Sequence, residues 1–140
     1  MQKPIVEKVF EYKGYKCAVL FQPMGHRCGY VKIPKESKYF HWDYEGIPID
    51  VHGGFTYSRN YLVGVEETNN DTWWIGWDYA HCYDRADMDS CYKYYEDLNP
   101  YMWFPDEGKI YYQEDVETDC KYVVEQLIKL EKQEVKHVQN

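Results

Sequence analysis

The chain has 140 residues and a formal charge of 16 − 24 = −8. That length suits one domain able to bury about two-thirds of its unfolded surface, and the acidity argues against a nucleic-acid backbone or an anionic membrane as the main partner. Five Cys with no C-x-x-C pair suit neither a disulfide framework nor a structural zinc site, so reduced thiols are expected.

Sixteen Tyr, five Trp and five Phe make up 19% of the chain. So many Tyr imply rings that are half wet, with the hydroxyl at a surface or pocket. Residues 1–22 carry Lys3, Glu7, Lys8, Glu11, Lys13 and Lys16, which leaves no signal-peptide core. The longest apolar runs are too short to cross a bilayer. A cytoplasmic protein is expected, in the host cytoplasm if a phage encodes it.

In chain order, Val6–Tyr12 and Tyr15–Gln22 are rich in β-formers, and Lys13-Gly14 between them suits a two-residue hairpin turn. Cys28–Ile33 predicts a third strand, which Pro34 stops. Residues 34–48 have no clean period and read as a surface excursion packed by its own aromatics. Ile49–Tyr57 predicts a strand broken at Gly53-Gly54, with Ile49, Val51 and Phe55 facing the core. Tyr61–Glu67 is β-like, and Trp73–Trp77 predicts an aromatic strand near the middle of the sheet. From Asp78 to Asp106 the pattern dissolves into a long excursion of the kind that is usually functional. Lys109–Tyr112 suits a short last strand. Val116, Cys120, Val123, Leu127 and Leu130 step by four, three, four and three residues, which makes one apolar stripe on a helix. The expected fold is α+β: a mixed, mainly antiparallel sheet with this amphipathic C-terminal helix on one face. It forms a single domain over residues 1–134, followed by a frayed polar tail at 135–140.

Polar chemistry concentrates in two segments. In the first, Gly53 and Gly54 after a strand let backbone approach a ligand, and His52 beside them can act as base, hydrogen-bond partner or metal ligand. In the second, Asp78, His81 and Asp84 stand at i, i+3 and i+6. In a helical turn all three fall within about a 120° arc; in an extended chain the two Asp share one face and His81 opposes them. A carboxylate there can fix the tautomer of His81. The bland alternatives are a bulged strand with a satisfied His and an N-capping Asp in an ordinary loop. His52, Asp78, His81 and Asp84 are suitable ligands for a divalent ion, but their spacing matches no zinc motif, and no cofactor is expected. In the loop Gly25–Tyr30, Arg27 with its planar fork suits a phosphate or carboxylate, or it is merely one exposed cation. Cys28 would need His26 to activate it as a nucleophile, and no third orienting group is evident.

Three elements resemble those of a family of small proteins common in phages and prophages. They are G-H-R-C-G-Y-V at Gly25–Val31, H-G-G-x-T-Y at His52–Tyr57, and W-x-G-[FW]-D-x-A-H-x-x-D at Trp74–Asp84, followed by an acidic helix ending in Q-L at Glu114–Leu127. Trp77 stands where Phe is expected and Tyr79 where Cys is common. The resemblance covers most of the chain. It implies a phage context, in which small proteins often neutralise host defence, some by trapping nucleotide signals.

Three functions follow as expectations. In the first, the protein sequesters a nucleotide-derived small molecule, as a monomer or a homo-oligomer. His26 and Arg27 would hold phosphate, Tyr57 and Trp77 or a Tyr from residues 79–104 would stack the base, and Asp78 and Asp84 would bind ribose hydroxyls or the base edge. In the second, His52 or His81, oriented by Asp78 or Asp84, is the general base of a hydrolase acting on a nucleotide-like substrate. In the third, the acidic surface inhibits a host enzyme by binding it. No nucleic-acid or membrane partner is expected.

Overall fold

In a computed structural model, residues 2–96 and 107–139 are described, with side chains through residue 133. Five strands make the main sheet: β1 (Ile5–Tyr12), β2 (Tyr15–Phe21), β3 (Arg27–Lys32), β4 (Tyr57–Arg59) and β5 (Trp74–Asp78). Their order is β1-β2-β3-β5-β4, and every neighbouring pair is antiparallel. A second, two-stranded sheet pairs β6 (Asp84–Arg85) with β7 (Lys109–Ile110) in parallel. Helix α1 spans Met88–Tyr94 and α2 spans Gln113–Gln139. The expected α+β fold, mainly antiparallel with a C-terminal helix on the sheet, is present.

Local chemistry explains the first strands. Lys13 and Gly14 both take positive φ, 48° and 85°, as a two-residue hairpin turn of matching twist requires. The β1 register slips between Val6 and Lys8, a bulge that re-aims Glu7 toward Arg27.

The sheet is covered on both faces, which is why β2 and β3 read as nearly unbroken apolar runs. On one face Cys17, Val19, Val31, Ile75 and Trp77 pack against Val116, Cys120, Val123, Val124 and Leu127 of α2. On the other, Ala18, Leu20, Cys28, Tyr30 and Trp74 pack under Leu62, with Val6, Tyr57 and Val65 beside them. Two wide rings need room where strands meet. Trp77 lies across Gly29 and Tyr30 across Gly76, and a Cβ at either glycine would overlap the ring.

Several expectations change. Ile49–Thr56 is not a strand: Gly53 and Gly54 sit at φ 68° and 79° and turn the chain, so only Tyr57–Arg59 pairs with β5. Val51 and Phe55 are nonetheless buried and Ile49 packs beside them. In place of a strand partner, Asp50 has the Gln126 side chain, which accepts from its N–H at 2.9 Å and donates to its C=O at 2.7 Å. Tyr61–Glu67 is a tight loop closed by the single bridge Leu62–Glu66. The stretch after Asp78 contains α1, capped by the Asp87 side chain accepting from Ser90 N–H. The helix is too short to show a period. Residues 97–106, with Tyr101, Trp103 and Phe104, lie outside the described residues. The α2 backbone runs to Gln139, as a run of good helix formers without Gly or Pro allows.

Candidate functional site

The site is built where the Gly-Gly loop meets the chain leaving β5. Asp84 is the centre. Its side chain is 5% exposed, and its two oxygens lie 3.0 and 2.8 Å from His52 Nε2. The same carboxylate accepts the backbone N–H of His81 at 3.0 Å. Among the described residues nothing hydrogen-bonds His52 Nδ1, and the His52 side chain is 25% exposed.

Rings hold His52 from below. Its imidazole stacks on Tyr79 at 4.7 Å between centroids, and Tyr111 packs on both, at 4.7 and 4.8 Å. Tyr79 is itself anchored: Trp77 Nε1 donates to its hydroxyl at 2.9 Å, and that hydroxyl donates to Asp119 of α2. Burial, then the bond to Asp119, pushes the Tyr79 phenol well above its ordinary pKa.

His81 completes the cluster, its ring 6.0 Å from that of His52 between centroids. Its Nε2 lies 3.2 Å from Asp78 Oδ1, within ion-pair range when the ring is protonated. The geometry is not that of a hydrogen bond, and this buried nitrogen has no hydrogen-bonding partner. Asp78 is fixed by Thr56 Oγ1 at 3.0 Å and by Ala80 N–H at 3.1 Å. The His81 ring lies against Gly53, where any Cβ would overlap it, while a Cβ on Gly54 would meet open space.

Thus four of the expected site residues come together: His52, Asp78, His81 and Asp84. Their arrangement is neither a helical turn nor an extended run. Tyr83 at φ 71° reverses the chain, Asp84 N–H bonds back to His81 C=O at 2.9 Å, and the two carboxylates end on different histidines. Among the described residues, no group of three or more His, Cys, Asp or Glu side chains is placed to hold a metal ion.

The other four expected residues lie elsewhere. Arg27 is 4% exposed and is no free cation. Its fork meets Glu7 at 2.6 and 3.1 Å and Asp87 at 2.9 Å, and also donates to Tyr111 C=O. It therefore supports the ring beneath His52 from behind, in place of gripping a ligand. Trp77 is fully buried in the sheet–helix core and offers no face to a base. Tyr57 is on the opposite side of the sheet, its hydroxyl donating to Tyr61 C=O. His26 sits in the loop before β3 with Nδ1 buried and without a partner. Cys28 is buried too, and burial pushes its thiol up to about 11, the wrong direction for a nucleophile.

Tyr111, Thr56 and Asp119 were not singled out by sequence, and Tyr79 entered only as one of the Tyr of residues 79–104 expected to stack a base; it lies instead under His52. Tyr79 lies inside the Asp78–Asp84 segment, but no spacing links it to positions 52, 111 and 119. Two cavities of about 680 Å³ lie away from the cluster, one lined by Tyr61–Thr68 and one along α2 from Tyr122 to Gln133 with Pro48. Neither contains a histidine or a carboxylate-held ring, so the chemistry, not the volume, marks the site.

No protein-family model matches the chain, and no curated protein and no solved structure matches it either.

Proposed function

We propose that the protein captures a small nucleotide-derived molecule at the His52–His81 face and holds it without turnover. In a phage context such capture would remove a host defence signal. The observation that carries the reading is the fixed, partly exposed His52 ring. Asp84 holds Nε2 at 2.8 Å and the stack of Tyr79 and Tyr111 holds the plane, leaving Nδ1 without a described partner. A polar edge fixed in this way loses little freedom on binding, which favours affinity. Gly54 leaves open space beside it, and the exposed Tyr83 ring, at 75%, is near enough in sequence to cover a planar base.

Hydrolysis is the second reading, and the His52–Asp84 pair favours it, because a carboxylate-held imidazole is a suitable general base for water. Turnover also needs a group that stabilises charge developing on the substrate. Among the described residues the Lys109 ammonium rests on the Tyr111 ring, and no Lys or Arg is paired with Asp78 or Asp84. No described cation is thus fixed against the His52–Asp84 pair, and capture stands first.

The test is incubation of the purified protein with linear, cyclic and ADP-ribose-type nucleotides, with and without Mg²⁺ or Mn²⁺. Free ligand is assayed by chromatography before and after heat denaturation. A ligand that disappears and returns intact supports capture. A new product replaces capture by hydrolysis. No change removes both and leaves the acidic protein-binding inhibitor.

A further inference from the structure

The hydrogen-bonding polarity of the site narrows what it can hold. Asp84 is an acceptor at both oxygens, and it faces His52 through Nε2 alone, at 3.0 and 2.8 Å. In a neutral imidazole one nitrogen carries the proton and the other the lone pair. The carboxylate selects Nε2–H, so the outward-facing Nδ1 is an acceptor.

The neighbours have the same sign. Asp78 already accepts from Thr56 and Ala80, and its side chain, 27% exposed, still offers acceptor capacity to solvent. Neither Asp78 nor Asp84 is paired with a Lys or Arg among the described residues. Lys109, opposite Asp84 in the β6–β7 register, is the near cation, and its ammonium lies over the Tyr111 ring, 4.7 Å from the centroid, where no described contact joins it to His52. Arg27, the cation expected to hold phosphate, is consumed by Glu7 and Asp87. A phosphate oxygen brought to Nδ1 would meet a lone pair backed by the Asp84 carboxylate. A hydroxyl or amino group would meet an acceptor.

We infer that His52 receives its ligand through a hydrogen-bond donor of that ligand, so the cluster reads the hydroxyl- and amino-bearing nucleoside part and leaves any phosphate pointing away. This rests on the capture reading and specifies which end of the molecule is held. Ribose hydroxyls and a base amine share the required chemistry.

The test is equilibrium dialysis of the full chain at pH 8, above the ordinary histidine range of about 6.5. The probes are adenosine, guanosine, cytidine and uridine with their 5′-monophosphates. For adenosine they include 2′,3′-dideoxyadenosine, which lacks the hydroxyls, and purine riboside, which lacks the amine. A monophosphate should bind no more than about threefold tighter than its nucleoside, and one of the two analogues should lose about tenfold, the worth of a hydrogen bond. The dideoxy analogue losing affinity identifies the ribose as the source, and the riboside the base. A monophosphate at least tenfold tighter than its nucleoside, or two analogues equal to adenosine, would overturn the inference and leave capture standing. No binding by any probe would remove capture of these molecules as well. A long-range ¹H–¹⁵N spectrum of the free protein at the same pH reads the premise directly: Nε2–H is expected, and Nδ1–H would overturn the inference without touching capture.

Discussion

The carboxylate of Asp84 joins two loops at once, accepting Nε2–H of His52 at 2.8 Å and the backbone N–H of His81 at 3.0 Å. Both donors lie at the edge of the core, so removing the acceptor strands them. Asp84→Ala should cost about 1–3 kcal/mol in urea unfolding and abolish ligand depletion. If Asp84→Ala binds as the parent does, the dyad has no part in the function.

Gly53 and Gly54 share a backbone conformation but differ in surroundings. Both sit at positive φ, yet only Gly53 has the His81 ring against it. Gly54→Ala should cost only the left-handed strain of about 1–2 kcal/mol, and Gly53→Ala that strain plus the displacement of His81. The excess should shrink in a His81→Ala background, as coupled sites do. Equal costs in all backgrounds, read by thermal unfolding, would show that the ring does not rest on the glycine.

Arg27 ties β1, β3 and α1 through Glu7 and Asp87. Arg27→Ala leaves two carboxylates unpaired in the interior and should cost about 3–5 kcal/mol. Arg27→Lys should recover part of it, since an ammonium cannot fill a fork. Burial pushes the Asp87 carboxyl up, but bonds from Ser90 and Arg27 outweigh it and bring its pKa below the ordinary 3.8. A lowered folded pKa adds stability that is present above the unfolded value and lost as pH falls through the folded one. Acid unfolding of the parent should therefore steepen below about pH 4, and Arg27→Ala should flatten that step.

The opposite limb belongs to tyrosines. Burial, with Tyr61 next in effect for Tyr57 and Glu7 for Tyr94, pushes both phenols up to about 12, and burial raises Tyr30 and Tyr79 further. The unfolded chain releases these protons near pH 10, so their contribution is whole below that pH and disappears as pH rises toward the folded values. Unfolding free energy should begin to fall near pH 9, where the unfolded chain ionises the thiol that burial raises at Cys28, and fall more steeply beyond about pH 10. The absorbance step of these buried phenolates should coincide with loss of structure. Their full ionisation in a still-folded protein would contradict the burial.

Tyr79 connects α2 to the site. Tyr79→Phe keeps the ring under His52 but deprives Trp77 Nε1 and Asp119 of their partner, with an expected cost of about 1–3 kcal/mol and weaker ligand retention. Unchanged stability would show that the buried relay is dispensable.

What could be read from the sequence was local. The hairpin was legible because Lys13-Gly14 supplies positive φ within two residues, and α2 because its apolar stripe repeats every turn. The two segments that carry the cluster were legible as concentrations of polar types. Their pairing was not. His52 finds Asp84 across 32 positions, and Arg27 finds Asp87 across 60, distances over which no period or turn signal reaches. Arg27 in a Gly-flanked loop and Trp77 beside Asp78 looked like ligand contacts because a buried ion pair and a core ring use the same residue types as a binding site. Only the bulge that aims Glu7, and the bare Gly29 opposite Trp77, decide that both turn inward.

The most direct measurement is a ¹⁵N-resolved titration of the full chain with the nucleosides and nucleotides named above, following backbone amides and histidine rings together. The account predicts that the first signals to move are the Gly53 and Gly54 amides and the rings of His52 and His81. Shifts gathered on Leu62–Glu66 or on the outer face of α2 around Gln126 and Lys129, or no shifts with any probe, would contradict it.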